Sequence, residues 1–150
     1  MVYGPYFFTV TVKWTNYLDM LKYFFWPIHA RIENSEKFYF QQDGAPLHRK
    51  KEVQDWLKVK FGDRFIKFGQ WPARSADLNQ CDFWLWGSLK QKVYNPRPAN
   101  IDELKANIER EFRKFKKTNL KSIFSYLKKD WFLLRKKMVA ILNIYFDIFL

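Results

Sequence analysis

At 150 residues, with 48% hydrophobic and 21% aromatic content, the chain can bury one real core, and intrinsic disorder is excluded. A net charge of +12 and a pI near 9.8 point to a polyanionic partner, nucleic acid first, and a single cysteine, Cys81, excludes an internal disulfide and fits a reducing compartment. The start lacks a basic region before an apolar run, so no secretory signal is expected, and no stretch approaches the roughly 20 apolar residues of a membrane span.

Residues 1–13 read as a strand, with Thr9 and Thr11 set among Phe7, Phe8, Val10 and Val12. Thr15 or Asn16 can then cap a helix in which Tyr17, Leu18, Leu21, Phe24 and Phe25 recur at helical spacing. Pro27 is expected to end or kink that helix. The polar run 31–36 is a loop into the strand at 37–42, whose Phe38, Tyr39 and Phe40 suit a buried ribbon. Gly44 and Pro46 stop the strand and leave Asp43 at its carboxyl end.

A second helix is expected over 48–61, with Val53, Trp56, Leu57 and Phe61 on one face and Arg49, Lys50, Lys51, Lys58 and Lys60 on the others. Gly62 and Asp63 stop it, and 64–68 alternates like a short strand. The Pro-containing loop 69–80 is long enough to suggest function. Asp82 opens a helix carrying Trp86, Leu89 and Val93 on one stripe. After the break at Asn95-Pro96-Arg97-Pro98, Asn100 and Glu103 form a capping-box pair ahead of Ile101, Leu104, Ile108, Phe112 and Phe115. The cluster 113–117 touches phosphates or is an ordinary positive helix end. From Asn119 onward, an apolar stripe through Leu120, Leu127, Leu134, Met138 and Ile148 predicts one long amphipathic helix. Such a tail packs on the domain or pairs with another chain, a second copy included.

Three positions carry candidate chemistry. Asp43 is either a turn former, since Asp before Gly is a common turn pair, or an acid facing the cleft outside the sheet's carboxyl edge. Asp82 is either a helix cap or a metal ligand. His48 orients its loop, contacts DNA or satisfies a backbone carbonyl.

Two ordered blocks sharpen these alternatives. Gln42-Asp43-Gly44-Ala45-Pro46-Leu47-His48 is followed by Trp71-Pro72-Ala73-Arg74-Ser75 through Asp82-Phe83 and on to Leu85-Trp86-Gly87. Together they resemble the catalytic domain of mariner-like DDE/D transposases. The likeness extends upstream to Gly4-Pro5-Tyr6-Phe7-Phe8 and Tyr17-Leu18-Asp19-Met20-Leu21, and downstream to about residue 115. It implies an α/β, ribonuclease-H-like domain over 1–118, incomplete at its N-terminus, followed by the helical segment 119–150. It also implies a nuclear protein acting on the DNA of transposon ends, with no membrane and no small-molecule substrate.

The resemblance makes Asp43 and Asp82 the second and third acids of a site holding Mg²⁺ or Mn²⁺. Two such ions, about 3.5–4 Å apart, drive phosphoryl transfer in enzymes of this kind. His48, Arg49, Lys50, Lys51 and Arg74 are then the DNA-contacting candidates. The family's first acid has no counterpart here, and two family prolines are Ala76 and Gln80. The chain is therefore expected to lack strand-transfer activity by itself. A basic DNA-binding or protein-interaction remnant is the alternative.

Overall fold

The computed structural model describes residues 4–42, 44–67, 69–70, 86–117 and 138–140. Residues 4–13 carry no strand, contrary to expectation. They run as irregular chain, and Tyr6 and Phe8 pack against the core, with Tyr6 5.0 Å from the Phe24 ring. Their apolar content serves side-chain packing and not a ladder.

The helical path begins at α1 (Trp14–Asp19), passes through a π-helical stretch at Met20–Phe25 and continues as α2 (Trp26–Ala30). It starts earlier than expected because Asn16 caps from within the first turn. Its Oδ1 accepts from the Lys13 N–H at 2.7 Å, and its Nδ2 donates to the Thr11 carbonyl at 3.0 Å. Pro27 does not end the path. It occupies the first turn of α2, just after the wider π register, where a missing N–H costs little.

A short 3₁₀ turn, Ser35–Lys37, leads into β1 (Tyr39–Gln41). The next helix, α3 (Lys51–Phe61), starts three residues later than expected because 46–49 form a turn. Gly62 closes α3 with φ +56° and ψ −127°, a conformation only glycine adopts without strain. β2 (Phe65–Ile66) follows. The Arg64 guanidinium donates to the Ser35 and Phe38 carbonyls at 3.3 and 3.1 Å, tying the start of β2 to the entry of β1.

α4 (Trp86–Val93) and α5 (Ile101–Lys117) pack on each other, and Leu89, Val93, Leu104, Ile108 and Phe112 are buried. The expected cap is present: the Glu103 N–H donates to Asn100 Oδ1 at 2.8 Å, and Glu103 accepts from the Ala99 N–H at 2.6 Å. In place of a continuous amphipathic helix through the tail, Met138–Ala140 forms a strand, β3. An open edge of β1 presents unpaired donors and acceptors, and an apolar segment with β-branched Val139 satisfies them. The rest of the predicted tail helix lies outside the described residues.

The sheet has order β2–β1–β3, with both pairs parallel, so the architecture is α/β. Its core converges on Phe40, which is fully buried and meets Phe61, Phe25 and Phe65 at ring separations of 5.0, 5.7 and 6.0 Å. Tyr17, Leu21, Val53 and Leu57 close the rest of that core. Among the described residues no helix is long and apolar enough to cross a membrane.

Candidate functional site

β1 is the middle strand, and its carboxyl end is shared by its two parallel neighbours. The segment leaving that end is 42–48. Asp43 and Asp82, the two expected acids, and Arg74 lie outside the described residues; what surrounds Asp43 in sequence is described in detail.

Gln42, just past the strand, is buried at 6% exposure, and its side-chain amide works in both directions. Its Oε1 accepts from the Tyr17 hydroxyl at 2.9 Å, and its Nε2 donates to the His48 carbonyl at 3.1 Å. The same carbonyl accepts from Gln54 Nε2 of α3 at 2.6 Å. The His48 N–H donates to the Ala45 carbonyl at 2.9 Å, closing the turn. Tyr17 of α1, 25 residues before Gln42, and Gln54 of α3, six residues after His48, thus fasten one short loop. In a water-poor setting each such bond is stronger, and each broken one leaves a costly orphan.

His48 was a candidate DNA contact. The residue is 2% exposed, and its ring lies 4.6 Å from the Tyr17 ring, turned into the fold and not toward solvent. That burial suits the two other options open in the sequence, ordering the loop or satisfying a backbone carbonyl. Arg49, Lys50 and Lys51 are exposed where α3 begins. That placement is informative, because a helix N-terminus favours anions and repels cations. Glu52 is the acidic residue in the first turn.

Several basic residues elsewhere are engaged. Lys60 sits 4.8 Å over the Trp26 ring, a cation–π contact. In the cluster at 113–117, Lys114 pairs with Glu111 at 2.7 Å and Arg113 with Glu109 at 3.7 Å. Lys114's hydrogen bond, with help from Arg110, holds the Glu111 carboxyl below its usual range against the opposing effect of burial. His29, buried among Phe25, Trp26, Phe38 and Phe61, has its pKa lowered by burial and then by the Arg64 charge.

Tyr17 and Gln54 are the residues that sequence reasoning missed as loop partners. Tyr17 reads as one more apolar member of a helical stripe, and the usable signal was that a buried tyrosine hydroxyl needs an acceptor. Gln54 carries no signal of its own. Among the described residues no three of His, Cys, Asp or Glu gather as a metal site.

No family model matches the chain, and no solved structure matches it. Three curated proteins do. The Tc3 transposase of Caenorhabditis elegans is 34% identical over 97 residues, covering 63% of this chain and 28% of that protein. The Tcb2 transposase of Caenorhabditis briggsae is 32% identical over 74 residues, covering 49% and 25%. The Tcb1 transposase of the same species is 27% identical over 94 residues, covering 63% and 33%. The chain therefore spans between a quarter and a third of the length of these relatives. Over the shared stretch, this chain is similar to these three transposases.

Proposed function

We propose that this chain carries part of a DNA-processing site of the DDE/D type, on a ribonuclease-H-like domain, with Asp43 and Asp82 as its carboxylates. The observation that carries the reading is the 34% identity to a transposase over 97 residues. The parallel sheet, whose middle strand runs into the Gln42–His48 loop, supports it, since ligands of open α/β sheets bind beyond that edge. Carboxylate oxygens are the hard donors that Mg²⁺ and Mn²⁺ prefer, so the two matched acids fit such an ion chemically. When bound, an ion of this kind polarises a phosphodiester and activates water or a 3′-hydroxyl. In this reading Gln42, Tyr17 and Gln54 order the loop, and Arg49, Lys50 and Lys51 hold the phosphate backbone of DNA.

By themselves the 150 residues supply two matched acids, and we expect no cutting from them. In a plasmid assay with Mg²⁺ or Mn²⁺, nicking that disappears in Asp43→Ala would overturn that expectation. Metal binding lost in both Asp43→Asn and Asp82→Asn is the positive test of the carboxylate pair.

A non-enzymatic DNA-binding role is the second reading, favoured by the exposed cations at the start of α3. Its signature is affinity that falls by about 0.9 log units per neutralised phosphate for each tenfold rise in salt. Replacing Arg49, Lys50 and Lys51 by Ala lowers that slope if they touch phosphates. An unchanged slope rules them out.

A further inference from the structure

We infer that Tyr17 and Gln54 are positioning residues: with Gln42 they form a clamp that holds the 42–48 loop, and with it the acid at position 43. The inference rests on the reading of Asp43 as a metal-holding carboxylate. Its evidence is the bonding itself. Tyr17 donates to Gln42 Oε1 at 2.9 Å, Gln42 donates to the His48 carbonyl at 3.1 Å, and Gln54 donates to that carbonyl at 2.6 Å. Position 43 lies inside the chain segment that the Gln42–His48 bond closes.

Stability alone does not explain these residues. The Tyr17 side chain is fully buried beside Leu21 and Phe25, where Phe would fill nearly the same volume and need no partner. Gln42 sits buried just past β1, where an apolar side chain would serve packing better. Burying an amide and a hydroxyl costs desolvation that an apolar pair avoids. What the polar set provides is direction: each bond has a required length and angle, whereas apolar contacts tolerate sliding. The loop it fixes contains Gly44, the most permissive residue available, directly after position 43. A carboxylate there is usable only if its backbone is held from outside. The clamp reaches the two flanks of that position, Gln42 from α1 through Tyr17 and His48 from α3 through Gln54.

The test uses the full chain and four forms: wild type, Tyr17→Phe, Gln54→Ala and Asp43→Asn. Three quantities are measured: circular dichroism, hydrogen exchange of the amides at 44–48, and Mn²⁺ affinity by calorimetry. Wild type binds Mn²⁺ and Asp43→Asn abolishes that binding. Tyr17→Phe and Gln54→Ala keep the native dichroism, exchange the loop amides about three- to tenfold faster, and weaken Mn²⁺ binding by a similar factor. A residue that merely adds stability would lower the melting temperature without moving Mn²⁺ affinity in the folded state. Unchanged affinity and unchanged exchange in both variants, with Asp43→Asn still abolishing binding, overturns the inference. If Tyr17→Phe fails to fold, Gln54→Ala decides alone, because Gln54 is only half-buried. If Mn²⁺ binding is the same in Asp43→Asn as in wild type, the metal reading falls separately. Exchange then judges the clamp: faster loop amides uphold it as the holder of this segment, and unchanged amides overturn it.

Discussion

Phe40→Ala tests whether the strand that launches the candidate loop is seated as described. Phe40 is fully buried, and its ring meets Phe61, Phe25 and Phe65 within 6.0 Å. Removing a buried phenyl ring costs about 3–5 kcal/mol, and aromatic pairing adds roughly 0.5–1.5 kcal/mol per pair to what area alone contributes. Three partners drawn from a helical segment, α3 and β2 would resist collapse into the space, so the upper half of that range is expected. A domain of this size has about 5–15 kcal/mol in all, so the variant is marginal at 37 °C. In urea, with a slope near 2 kcal/mol/M, the midpoint falls by about 2 M at constant slope. Trp26 and Trp56, packed at 6.0 Å near the same cluster, report the transition by fluorescence. Val59→Ala is the matched control: Val59 is 81% exposed, and its loss should change stability by less than about 0.5 kcal/mol. A Phe40 shift as small as the Val59 shift would mean that β1 is not the hub of the core.

Three further outcomes are expected. His29 titrates near 6.5 when unfolded and lower when folded, so the unfolded chain binds the extra proton first. Stability is then full above about pH 6.5 and falls as pH drops toward the lowered folded value, and His29→Phe should flatten the urea midpoint between pH 7.5 and 5.5. Gly62→Ala should cost about 1–3 kcal/mol although a Cβ there meets nothing within 4 Å, because the cost is backbone strain at φ +56°; a neutral result in thermal melting would contradict the observed turn. Asn100→Ala should cost about 1 kcal/mol, with faster amide exchange confined to the first turn of α5, and Asn100→Asp should restore it.

Periodicity made most of the described elements legible. The stripes Val53–Leu57–Phe61 and Leu104–Ile108–Phe112 are buried as spaced, because a helix that must bury one face repeats apolar residues at its own pitch. The capping pair at Asn100 and Glu103 was readable because it is local chemistry. Failures came where a distant partner decided the outcome. Residues 4–13 alternate like a strand but have no ladder, since alternation describes a face and cannot supply a neighbour. Pro27 breaks an ordinary helix, yet the π stretch before it absorbs the missing donor. Met138–Ala140 follows a helical stripe, but the free side of β1 recruited it as a strand. At the candidate site, the motif around Asp43 was legible as a block, and its fastening was not. Tyr17 sits 25 residues before Gln42, and nothing in local spacing links them.

The +12 charge is not evenly meaningful, and its parts separate by helix polarity. Arg113 and Lys114 occupy the far half of α5, where the dipole welcomes cations, and Glu109 and Glu111 pair with them. Lys50 and Lys51 stand at the start of α3, where the same dipole opposes them. Residues placed against their own helix are more informative about a ligand than residues placed with it. Lys50→Glu with Lys51→Glu should therefore raise the melting temperature at low salt by about a few degrees, while DNA affinity falls and its salt dependence flattens. Arg113→Glu with Lys114→Glu should do the reverse to stability and leave DNA affinity nearly unchanged. Melting curves and fluorescence anisotropy on the same two variants decide it. If the α3 pair lowers stability, or the α5 pair carries the DNA affinity, the cations at the start of α3 are not the phosphate-binding edge of this domain.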